Sequence, residues 1–145
     1  MALHHVNFHT LNSKPIFEDE TYDRMMRTCL HNVLRERQII CLAWEIMPTH
    51  VHLIIEDFPD LPRPRILQYL KGDTSRAFLV AFPHLRADLL GGHLWTKGYY
   101  AVRIISYKQF LATLRYVRAN RQRADLQPPE SLEHFGNERE IQRHT

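Results

Sequence analysis

Two short apolar segments, residues 39–46 and 50–56, separated by Met47-Pro48-Thr49, constrain the fold more than any other feature of this 145-residue chain. The first is partly β-branched and too short for a typical globular helix, so it reads as a central strand. Pro48 suits a turn or a strand edge better than a sheet interior. The second segment, His50-Val51-His52-Leu53-Ile54-Ile55-Glu56, therefore returns antiparallel to the first. An antiparallel pair in mid-chain leaves the flanking segments to extend the sheet or cover it.

The opening residues alternate imperfectly, with Val6 and Phe8 on one side of a further strand. Asp19 or Thr21 can cap a helix running to about Arg37, with Tyr22, Met25, Met26, Cys29, Leu30, Val33 and Leu34 as its core-facing stripe. After a proline-rich linker, a second helix spans roughly residues 64–82 and buries Ile66, Leu67, Leu70, Ala77, Phe78 and Ala81. Gly91-Gly92 and Gly98 suggest a short hairpin over residues 93–105, and Ser106 can cap a third helix to about Arg123. The order β-α-β-β-α-β(β)-α fits an α+β fold, a ferredoxin-like antiparallel sheet covered by helices. Residues 1–124 form one domain on this reading, and 125–145 a polar C-terminal extension.

Nineteen Lys and Arg against 16 Asp and Glu give a formal charge of +3, and four glutamates of the tail leave the body more basic than that total. Such a balance permits nucleic-acid binding without establishing it. Cys29 and Cys41 form neither a Cys-x-x-Cys pair nor a disulfide framework, no apolar run reaches membrane-spanning length, and no secretory segment opens the chain. A cytoplasmic protein without membrane association is the expectation.

Strand alternation turns His50, His52, Ile54 and Glu56 one way and Val51, Leu53 and Ile55 toward the core. The two histidines stand about 6 to 7 Å apart along the backbone, close enough for both rings to converge on one cation. The same pattern also suits two polar residues on the wetter face of a half-buried strand, and a pair of imidazoles leaves most of a coordination shell empty. Glu56 lies too far along the strand for direct ligation. On the last helix, Phe110, Leu114 and Val117 define a buried stripe, and Tyr116 projects well away from its centre with Asn120 one turn farther on. A hydroxyl nucleophile beside a neutral oxygen donor is one use of that pair; a boundary tyrosine and a helix-end asparagine are another.

Several segments in the same order carry a resemblance: His5-Val6-Asn7-Phe8-His9, residues 47–56, Leu70-Lys71-Gly72-Asp73-Thr74-Ser75-Arg76, residues 93–100 and Tyr116-Val117-Arg118-Ala119-Asn120. Together they resemble the single-tyrosine HUH transposases of small bacterial insertion sequences and their REP-associated relatives. The resemblance implies that His50, His52 and Asn120 bind Mg²⁺ or Mn²⁺ and that Tyr116, on a late catalytic helix, attacks single-stranded DNA. It implies a 5′-phosphotyrosine intermediate, strand transfer at imperfect hairpins, and a homodimer. Lys71, Arg76, Lys97, Arg103, Arg115, Arg118, Arg121 and Arg123 are candidates to neutralise phosphates, and Trp95 to stack on an unpaired base. Other readings are a domesticated enzyme processing REP palindromes, a non-catalytic DNA-hairpin-binding protein, and an unrelated ferredoxin-like metal-binding or structural module.

Overall fold

The computed structural model describes residues 1–123; the expected polar extension lies outside them. Its elements are β1 (Ala2–His9), α1 (Glu20–Glu36), β2 (Ile40–Ile46), β3 (His50–Asp57), α2 (Arg63–Ala81), the short α3 (His84–Asp88), β4 (Tyr100–Ile104) and α4 (Tyr107–Arg123). The sheet order is β2-β3-β1-β4 with every neighbouring pair antiparallel, the arrangement of a ferredoxin-like α+β fold. None of the described helices is long and apolar enough to cross a membrane.

One sheet face carries the larger core. Val6, Phe8, Trp44, Ile46, Val51, Leu53 and Ile55 meet Met26, Leu30 and Val33 of α1 and Ile66, Leu67, Leu70 and Phe78 of α2. Asp19 starts α1 by accepting hydrogen bonds from the backbone N–H groups of Thr21 and Tyr22, at 2.8 and 3.2 Å. These contacts satisfy two of the donors that a helix start leaves open.

The second face also has an apolar patch, which strand alternation alone did not reveal. Leu3, Leu42, Ala43, Ile54 and Ile104 pack under Phe110, Leu114 and Val117 of α4. Burying each such side chain contributes about 1.5–3 kcal/mol. Ile54, expected on a wetter face beside His52, is therefore fully buried.

The hairpin expected over residues 93–105 does not form. Instead, Trp95 makes a single bridge to Thr10, Leu11 N–H donates to Leu94 O at 2.9 Å, and Thr96 N–H donates to His9 O at 2.9 Å. The segment thus closes over the end of β1, and Gly98, at φ 84°, supplies the left-handed turn into β4.

Candidate active site

The helix-capped half of the second sheet face ends where its side chains become polar. By register, Leu3 lies between Glu56 and Ile104, His5 between Ile54 and Val102, Asn7 between His52 and Tyr100, and His9 opposite His50. Moving along β1 therefore leads from the apolar patch under α4 onto a floor of four histidines. The β2–β3 turn fixes one end of that floor. Thr49 O accepts from Thr10 N–H at 2.8 Å, and Pro48 O accepts from Phe17 N–H at 3.1 Å, which holds His50 alongside β1.

His50 Nε2 and His52 Nε2 lie 2.9 Å apart. The other nitrogen of each ring also has a neighbour: His50 Nδ1 is 2.9 Å from Thr49 Oγ1, and His52 Nδ1 is 3.0 Å from His5 Nε2. The His5 and His52 rings lie edge to edge with centroids 5.2 Å apart, and His9 stacks on His50 at 4.7 Å. Burial, followed by the proximity of His9, pushes the His50 pKa down to about 4; burial, followed by His50, His5 and His9, pushes His52 down to about 3 against an opposing pull from Glu45. Burial also lowers His5. These imidazoles are neutral at physiological pH and keep lone pairs for donation.

The acidic limb of the stability curve follows. In the unfolded chain a histidine titrates near 6.5, so at mildly acidic pH that state binds more protons than the folded one. Stability is expected to fall as pH drops from about 6.5 toward the folded-state values near 3 to 4. Urea unfolding at about pH 7 and about pH 5 should show this loss, with a smaller difference in a His50→Gln/His52→Gln double variant; an equal difference in both proteins would contradict it.

Tyr116 reaches the same floor from α4. Ser106 Oγ accepts from Gln109 N–H at 3.1 Å, while the Gln109 amide accepts from Ile105 N–H at 2.9 Å and donates to Arg103 O at 3.1 Å. This reciprocal clamp ties the helix start to the end of β4. With Val117 fully buried, the preceding residue swings to the flank of the helix. The Tyr116 ring meets His52 edge-on at 5.6 Å and His5 at 6.0 Å, yet remains 42% exposed. A single chain thus places the tyrosine beside its own histidines. Asn120 lies one helical turn beyond Tyr116.

Two imidazole nitrogens bound side by side on one ion at about 2.1 Å stand about 3 Å apart, so the His50–His52 spacing suits a shared cation. No group of three or more His, Cys, Asp or Glu side chains among the described residues is arranged to hold a metal, so this pair needs a donor of another type.

The other candidate residues separate from this floor. Trp95, a candidate either to stack on a base or to pack in a core, is 6% exposed and packs edge-on against Phe8 at 4.6 Å, with Nε1 donating to Thr74 Oγ1 at 3.0 Å. It is a buried core residue. Lys71 donates to Thr96 O and Gly98 O at 2.8 and 2.6 Å, and Arg76 pairs with Asp73 at 3.2 Å, both on the α2 side. Arg103 faces His4 in register and so points to that same side. Lys97 is exposed in the segment before β4, and Arg115 and Arg118 are exposed on α4. Glu56 is buried at the far end of β3, opposite Leu3. His5, His9 and Thr49 were not among the expected site residues. Alternation along β1 puts His5 and His9 on one face, but only the β1–β3 register brings them to His50 and His52.

Residues 2–120 match the family described as IS200-like transposases. The chain belongs to that family. ISDra2 transposase TnpA of Deinococcus radiodurans is 32% identical to this family member over 74 residues, 51% of the chain and 53% of the relative. The chain therefore matches about half the length of that curated relative. A protein of D. radiodurans R1, whose crystal structure is described as a candidate transposase, superposes with a TM-score of 0.63 at 26% identity, covering 77% of this chain and 85% of the other. A REP-associated tyrosine transposase, solved bound to a REP hairpin, gives a TM-score of 0.63 at 18% identity over 85% of this chain and 68% of its own, and shows the common fold.

Proposed function

We propose that this member of the IS200-like transposase family cleaves and rejoins single-stranded DNA through Tyr116, as a metal-dependent transposase acting at hairpin-associated sites. The observation that carries the proposal is the meeting of an accessible tyrosine on α4 with two histidine nitrogens 2.9 Å apart on β3. Residues 1–124 are the catalytic domain on this reading, and the protein works in the cytoplasm as a homodimer.

Tyr116 Oη attacks the phosphorus of a phosphodiester as the bond to the 3′ oxygen breaks. That oxygen takes up a proton as the phenol loses one, leaving a 5′-phosphotyrosine and a free 3′-hydroxyl. Attack by a 3′-hydroxyl from another cleaved end restores a phosphodiester and returns the phenol, so rejoining needs no external energy source. His50 and His52, with Asn120 as an oxygen donor one turn beyond the nucleophile, would hold Mg²⁺ or Mn²⁺. Bound there, the cation would reduce the charge on a phosphate oxygen and orient the phosphate for in-line attack.

Arg115, Arg118 and Lys97 are the exposed candidates to contact DNA phosphates, although Arg118 leaves α4 on the flank opposite Tyr116. The relative bound to a REP hairpin supports folded single-stranded DNA as the ligand class. That likeness also keeps a domesticated enzyme acting on REP palindromes as a second reading, because its chemistry at Tyr116 would be the same.

Incubation with a panel of single-stranded hairpins and Mn²⁺, followed by denaturing electrophoresis, tests the reading. A cation-dependent protein–DNA adduct is expected with a subset of the hairpins. Tight hairpin binding without an adduct in any divalent cation would instead indicate a non-catalytic binding protein.

A further inference from the structure

We infer that His5 is a positioning residue for the metal centre, fixing the ring and tautomer of His52 through the contact between His5 Nε2 and His52 Nδ1. The inference rests on the proposed metal site and names a residue outside its three assigned ligands.

The geometry is specific. A histidine that binds a cation through Nε2 must leave that nitrogen unprotonated, so its proton sits on Nδ1 and needs an acceptor. His5 Nε2 lies 3.0 Å from His52 Nδ1, and the rings lie edge to edge, with centroids 5.2 Å apart and 21° between their planes. Thr49 Oγ1 occupies the corresponding position for His50 at 2.9 Å. Each of the two histidines therefore has a polar partner behind it, and the two Nε2 atoms face each other at 2.9 Å. At that separation the metal-free pair shares one hydrogen, donated by one ring to the lone pair of the other. If His52 keeps its proton on Nδ1, directed at His5, then His50 supplies that hydrogen. Cation binding then requires only that His50 move its proton to Nδ1, where Thr49 Oγ1 can accept it.

Apart from His52, the Tyr116 ring and the next face-sharing residue Asn7, the described neighbours of His5 are apolar. Its register neighbours are Ile54 and Val102, and the next face-sharing residue toward the chain start is Leu3. A leucine at position 5 suits that apolar margin. The histidine thus stands where packing alone would favour a hydrocarbon, at the edge of the patch covered by α4.

The test is Mn²⁺ affinity of the full chain, measured by titration for the wild type, His5→Leu, His5→Gln and His52→Ala. Gln can place an acceptor oxygen near the position of His5 Nε2, whereas Leu cannot. Loss of an outer partner of this kind typically weakens metal binding about 10- to 100-fold, so that loss is expected for His5→Leu, with substantial recovery in His5→Gln. Wild-type affinity in His5→Leu, while His52→Ala loses binding, would overturn the role of His5 and leave the metal site standing. Equal losses in His5→Leu and His5→Gln would overturn the hydrogen-bond role. Unchanged affinity in His52→Ala would instead remove the metal site on which the inference rests. Should His5→Leu fail to fold, ¹⁵N NMR of the wild type in Zn²⁺ gives an independent reading. His52 Nδ1 is expected to carry the proton and His5 Nε2 to accept it; an unprotonated His52 Nδ1 would overturn the inference.

Discussion

Tyr116→Phe is expected to abolish the covalent protein–DNA adduct while hairpin affinity stays within about two- to threefold of the wild type, the range of a surface substitution. The change deletes one oxygen and keeps the ring that meets His52 and His5 edge-on. Because Tyr116 is 42% exposed, its replacement disturbs little packing. The control is Tyr100→Phe. Tyr22 contacts His84, Tyr69 lies beneath Arg37, Tyr99 faces Arg63 and Tyr107 stacks on Phe110, and none of these contacts involves His5, His9, His50 or His52. Tyr100 does approach them, 6.1 Å from His9 and 69% exposed. It is therefore the competing nucleophile, and Tyr100→Phe is expected to retain adduct formation. An adduct that survives Tyr116→Phe and disappears in Tyr100→Phe would transfer the role to Tyr100.

What the sequence revealed about this site followed the reach of local chemistry. Alternation in β3 put His50 and His52 on one side, and helical spacing set Tyr116 apart from the stripe of Phe110, Leu114 and Val117. Both are short-range periodicities, legible within a few residues. The β2–β3 turn and the capped start of α1 were legible for the same reason. Pairing between β1 and β3 was not, because it joins residues more than 40 positions apart. Without that register, His5 and His9 were two more histidines near the chain start rather than the backing of His52 and His50.

The second sheet face shows the same limit. Strand alternation alone treats the His50–His52 side as solvated, yet α4 covers half of it. Ile54 is buried by a helix that begins some 50 residues later. The boundary between the covered and open halves is what produces the site: α4 needs an apolar patch to dock on, and its flank then hangs over the polar remainder. The short-range pattern located the two histidines and the tyrosine, while the long-range packing sets how they meet.

The second large effect concerns Trp95, which the sequence leaves between a base-stacking platform and a core or dimer contact. A tryptophan can stack on an unpaired base or fill a core, and single-residue chemistry cannot tell such a platform from a buried plug. Here the ring fills the space among Phe8, Phe17 and α2, and its N–H meets Thr74 Oγ1, which itself donates to Leu70 O. Trp95→Ala is therefore expected to destabilise the fold by about 3–5 kcal/mol, the usual cost of emptying a large aromatic site. Trp95→Phe keeps an edge contact with Phe8 and should recover much of that loss. The two roles predict opposite outcomes when urea unfolding is set beside hairpin affinity measured where the variant is still folded. A buried plug costs stability and leaves affinity nearly intact. A stacking platform would leave the urea midpoint near that of the wild type and cost about 1–3 kcal/mol of binding, and that result would return Trp95 to the DNA surface.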